Sequence, residues 1–158
     1  MSGFSKSSWI AAGLLAAACT APLPGAATAP ADPCSLLSPA QVSSVMGKTY
    51  GPAQKSVAPR PYANTVEGTD CTYSPQGAGS RLLFRIYFDP SPAAATELFA
   101  KLKIFYSPPK PVPSLGDEAY FDPRHGIHVH KGNVRFFLSA GDDEKPLTNL
   151  ATQVAGQL

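Results

Sequence analysis

Apolar side chains recur with helical spacing through residues 36–46, where Leu36, Val42, Val45 and Met46 fall on one side. Both ends of this segment are marked. Ser38 suits an N-cap, and Pro39 takes the first helical position, where a missing N–H costs nothing. Gln41 is placed to reach back to the cap, Leu37 to staple onto Val42, and Gly47 to adopt the left-handed conformation that ends a helix. Ser91-Pro92 repeats the cap-plus-proline signal and opens a second helix to about residue 106, with Ala95, Leu98, Phe99 and Leu102 as its buried stripe. A third opens near Pro146, with Leu147, Leu150, Ala151 and Val154 on one face.

The period changes to two in residues 81–89. There Leu82, Phe84, Ile86 and Phe88 point one way, and Leu83, Arg85 and Tyr87 the other. Cys71-Thr72-Tyr73 reads as a short strand ended by Pro75 and a Gly77-Ala78-Gly79 turn. Three further strands are expected over about 118–122, 127–131 and 134–140, and Lys131-Gly132-Asn133 joins the last two as a hairpin. Prolines 52, 59 and 61 make most of 48–70 a loop, with a strand start expected at Lys48-Thr49-Tyr50. Prolines 108, 109, 111 and 113 force an extended connector. The resulting order, α-β-β-α-β-β-β-α, predicts an α+β fold: an antiparallel sheet packed against two or three amphipathic helices, with one disulfide.

The first residues do not belong to this pattern. Lys6, a short apolar run over 9–15 and Ala16-Ala17-Ala18 read as a secretory signal peptide over 1–18, too short to anchor in a bilayer. Small residues followed by Cys19 resemble a bacterial lipobox, in which the cysteine becomes the lipid-modified first residue; Leu15 stands four residues before it rather than the usual three. Plain cleavage after Ala18 is the alternative. Three cysteines in an exported chain leave an odd one. With lipid on Cys19, Cys34 and Cys71 remain as a pair in an oxidising compartment, and closing that loop stabilises the fold by roughly 3–4 kcal/mol in the chain-entropy model. Residues 19–33, rich in Ala and Pro, read as a flexible tether, and 34–158 as a single domain. The chain carries 13 basic side chains, Lys6 among them, against 11 acidic ones. That balance, with no basic run, argues against nucleic acid as a partner.

Asp32-Pro33-Cys34-Ser35-Leu36-Leu37-Ser38-Pro39, the helix ending at Gly47, Cys71-Thr72-Tyr73, and Leu115-Gly116-Asp117-Glu118-Ala119-Tyr120-Phe121 before a hairpin resemble a family of small bacterial envelope lipoproteins best known from actinobacteria. The likeness covers most of 34–158. The family is a domain of unknown function, so the resemblance implies an envelope location and a disulfide. It supplies no catalytic residue.

Two groups of residues offer chemistry. His128 and His130 share one strand face about 7 Å apart, close enough to share a copper or zinc ion, with His125 and Asp122 nearby in sequence. The non-core sheet face gathers Leu83, Arg85, Tyr87, Tyr120, Arg135 and Phe137 beside the two histidines. Aromatic bodies with cationic heads suit an anionic or sugar-like ligand, or an acidic protein partner. The competing reading has the third helix cover the apolar members while the arginines reach to solvent. Catalysis has little support: no nucleophile elbow or metalloprotease helix occurs, and the acids Asp117-Glu118 and Asp142-Asp143-Glu144 fall at turns. The expectation is therefore a non-enzymatic binding module without a cofactor, held to the membrane by lipid, contacting an envelope protein, polymer or small ligand. Copper or zinc binding stands second and an envelope hydrolase third.

Overall fold

The computed structural model describes residues 27–158. The signal peptide over 1–18, the lipid site at Cys19 and the first part of the tether lie outside the described residues.

Local signals act as the sequence implies. In α1 (Pro39–Met46) the Ser38 hydroxyl accepts from Gln41 N at 3.2 Å, and the Gln41 side chain accepts from Ser38 N at 2.8 Å. Gly47 ends the helix at φ 66°. α2 (Pro92–Phe105) is capped by Ser91, and α3 (Glu144–Ala155) by Asp143, slightly upstream of the expected start. A 3-10 turn over Pro33–Leu36, capped by Asp32, brings Cys34 up to the sheet.

Seven antiparallel strands form one sheet: β1 (Gln54–Ala58), β2 (Gly68–Tyr73), β3 (Leu82–Phe88), β4 (Lys110–Pro111), β5 (Glu118–Phe121), β6 (Ile127–Lys131) and β7 (Val134–Ser139). Their spatial order is β1-β2-β3-β7-β6-β5-β4. The fold is α+β, and β2, β3, β5, β6 and β7 follow the expected order among the helices. The two additions, β1 and β4, are the two edges of the sheet and come from proline-rich stretches read as loop and connector. An edge strand needs a partner on one side only, so it tolerates proline and carries no burial alternation. Lys48-Thr49-Tyr50 does not open a strand; Tyr50 makes a single bridge to Pro75.

One sheet face is the main core. Tyr73, Phe84, Ile86, Val129, Phe136 and Leu138 pack there against Val42 of α1 and the Leu147, Leu150, Ala151 and Val154 stripe of α3. The Cys34–Cys71 disulfide ties the 3-10 turn to β2 with a Cα–Cα distance of 5.6 Å. Beside it the Tyr73 hydroxyl donates to Leu37 O at 2.5 Å. Burial, with the nearby charge of Asp32, pushes that phenol up to about 12. The leading segment also lies on the domain: Ala27 N donates to the Asn133 side-chain oxygen at 2.7 Å, and the Asn133 amide returns a bond to Ala27 O at 3.0 Å.

Replacing both cysteines, Cys34→Ala/Cys71→Ala, is expected to destabilise the domain by roughly 3–4 kcal/mol in urea unfolding. An unchanged midpoint would contradict the disulfide's role.

Candidate functional site

The second sheet face is built from two cross-strand rows fixed by register. One runs Asp70, Arg85, Phe137, His128, Tyr120 across β2, β3, β7, β6 and β5; the other runs Tyr87, Arg135, His130, Glu118. The sequence-predicted residues Arg85, Tyr87, Tyr120, Arg135 and Phe137 thus stand side by side.

They do not form an open surface. α2 lies over the face, with Phe99 against Tyr120 at 5.1 Å and against His130 at 5.6 Å between ring centroids. Tyr120, Arg135 and Tyr87 are buried, at 1%, 2% and 7% exposure; the first two leave the surface set, while Tyr87 still lines a cavity on this face. The covering helix is α2 and not α3, because the α3 stripe is already committed to the opposite face. Arg135 does not reach to solvent: its Nε and Nη2 fork onto Asp89 at 2.5 and 2.9 Å, and its guanidinium lies 4.9 Å from the Tyr87 ring centroid. Removing one member of such a buried pair costs about 3–5 kcal/mol.

Where α2 ends, a cavity of about 250 Å³ remains. Arg85, Tyr87, His128 and Phe137 line it from the sheet, residues 59–62 from the loop after β1, and Leu102, Phe105 and Tyr106 from α2 and its C-cap. Arg85 is held by Asp70 through two bonds of 2.6 and 2.7 Å. The Tyr87 hydroxyl donates to Pro59 O at 2.7 Å and so pins the loop wall to the sheet. Two glycines shape the sheet side. A Cβ at Gly68 would lie 2.6 Å from the Tyr87 ring, and one at Gly126 would lie 2.3 Å from the Phe137 ring. Neither ring could keep its place over a larger residue.

His128 is fixed on all sides. Its ring stacks on Tyr120 at 4.8 Å and 12°, and meets Phe137 at 4.6 Å and Tyr106 at 4.9 Å. Its Nε2 donates to Asp122 Oδ2 at 3.1 Å, while Asp122 Oδ1 accepts from Arg124 N at 2.8 Å and Gly126 N at 3.0 Å. Burial raises the Asp122 pKa, but the bonds from His128, Gly126 and Arg124 outweigh it, and the carboxyl sits below the usual aspartate range. His130 donates through Nε2 to Gly132 O at 2.9 Å. The two histidines share a face, as expected, but each Nε2 has its own protein partner. Among the described residues no three His, Cys, Asp or Glu side chains converge as a metal site.

The acidic clusters have local duties. Asp117 accepts from Gly132 N, Glu118 pairs with Lys103, and Asp143 caps α3; Glu144 pairs with Lys110 and lies 3.4 Å from His125. Sequence reasoning missed Tyr62, Phe105 and Tyr106 as site residues. The signal was present in Ile104-Phe105-Tyr106, a bulky apolar run that extends past the buried stripe of α2. Ile104 and Phe105 are 78% and 77% exposed.

No family model matches the chain, and neither a curated protein nor a solved structure matches it.

Because the Asp122 carboxyl is depressed in the fold, its contribution to stability is complete above the ordinary aspartate range of about 4 and is lost as pH falls through the lowered value. Asp122→Asn is therefore expected to lower the urea midpoint at near-neutral pH, with the gap to wild type narrowing in acid. A gap independent of pH would contradict this account.

Proposed function

We propose that the protein is an envelope-anchored, non-catalytic binding module whose contact site is the cavity at the C-terminal end of α2. The observation that carries this reading is the pairing of a pre-formed hollow with bulky apolar side chains left in water at its rim. Phe105 and Tyr62 both line the hollow and are 77% and 40% exposed. Burying such residues on contact recovers the hydrophobic free energy that the free protein forgoes. A binding role also suits the state of the polar groups: Arg85, Asp122 and His128 are held in hydrogen-bonded pairs. They offer fixed geometry rather than a reactive centre.

The anchor rests on Cys19 and the leader before it. Eight chain steps separate Cys19 from Ala27, which is fastened to Asn133. A lipid on Cys19 keeps the domain within about 30 Å of the membrane. The partner is then a component of the envelope, met at short range.

Benzoylphenylalanine substituted at Phe105 is expected to give a light-dependent adduct with an envelope component in producing cells. The same group at Thr152, exposed on α3, is expected to give none. Wild type is expected in the membrane fraction and Cys19→Ser in the soluble one. Equal labelling at both positions, or none at 105, would contradict the site; membrane retention of Cys19→Ser would contradict the anchor.

A further inference from the structure

We infer that the cavity takes a neutral carbohydrate, an oligosaccharide laid along α2; this inference rests on the reading of the cavity as the contact site. Charge is the first ground. The cationic side chains at the cavity are already neutralised by acids of the same chain: Arg85 by Asp70 and Arg60 by Glu67, the latter at 3.0 Å. An anionic ligand would have to displace Asp70 from a two-bonded fork, and so gains little from the field of the site.

The second ground is the kind of polar group on offer. Asp70 takes Nε and Nη2 of Arg85, so Nη1 is the guanidinium donor not engaged by that fork. Tyr62 and Tyr106 add phenols, each able to give and to take a hydrogen bond, beside flat apolar surface. Sugar hydroxyls also both give and take. The C–H face of a sugar ring packs on such surface while its hydroxyls reach the phenols and the Arg85 guanidinium. An extended proline peptide uses aromatic grooves as well, but it carries carbonyl acceptors and no N–H donors, so it leaves the accepting side of the phenols unused.

The third ground is shape. A second, more open hollow of about 540 Å³ adjoins the first along the same helix. It shares Tyr62 with the first and is bounded by Ala94, Glu97 and Lys101 of α2. Its charges are paired too, Lys101 with Glu97 at 2.6 Å. From Ala94 to Tyr106 the helix rises about 18 Å, the span of several linked rings.

The test follows amide resonances of the described domain while maltohexaose, cellohexaose and mannohexaose are added in turn. At least one is expected to shift residues 60–62 and 97–106 saturably, with affinity reduced at least fivefold by Tyr106→Ala and by Arg85→Lys, which keeps the charge but loses the fork. Both variants are first checked for an unchanged spectrum on the α3 side. No saturable shift from any of the three neutral sugars overturns the carbohydrate assignment. So does binding in the groove by hexagalacturonate or decaproline alone, an outcome that leaves the contact site itself standing. Silence from all five probes, joined to absent labelling from position 105, removes the site as well.

Discussion

Alternation in the two central strands places large side chains on both faces of the sheet, and both faces must be covered. β3 and β7 pair through Phe84 with Leu138 and Ile86 with Phe136 toward one side, and through Arg85 with Phe137 and Tyr87 with Arg135 toward the other. The first face is closed by α1 and α3, and the 3-10 turn is fastened to it by the disulfide. The second has α2 and the loop of residues 59–66. Neither reaches fully across it, and the cavity is what lies between them. The candidate site is thus a consequence of how a two-faced sheet is roofed.

The same face holds most of its polar members by pairing, the buried Tyr120 hydroxyl and Arg135 Nη1 being the exceptions. Asp89 takes Arg135 into a buried fork, Arg135 lies over Tyr87, and Tyr87 holds the loop wall through Pro59 O. Asn133 joins this row to the leading segment, since its amide bonds both Asp89 O and Ala27 O at 3.0 Å. Fixed side chains lower the entropy that a ligand must remove on binding, which favours a site organised before contact. The aromatic rim differs from this rigid floor, because Phe105 meets mainly water.

Much of the fold was legible because its signals are local. Ser38, Pro39, Gln41 and Gly47 define a helix within ten residues, and the short run of large apolar side chains around Arg85 over 82–88 reads as a strand. The edges were not legible. Gln54-Lys55-Ser56 has no alternation to detect, and Pro111 argues against a strand unless its neighbour on one side is solvent. For the site, the sequence selected the right face through Arg85, Tyr87 and Phe137 but could not show how it was roofed. Tyr120 and Arg135 look like Arg85 in the pattern, yet α2 buries them and Asp89, 46 residues from Arg135, absorbs its charge. Such long-range pairing has no trace in local spacing. Tyr62 was missed for the same reason, since it joins the sheet residues at the cavity only after the loop folds back.

Hydrogen exchange compares the anchored protein in native envelope fragments with the isolated domain, and so tests the central claim most directly. The account predicts slower exchange on envelope contact in residues 59–66 and 97–106, with α3 unchanged. Protection centred on α3, or none along α2, would contradict it.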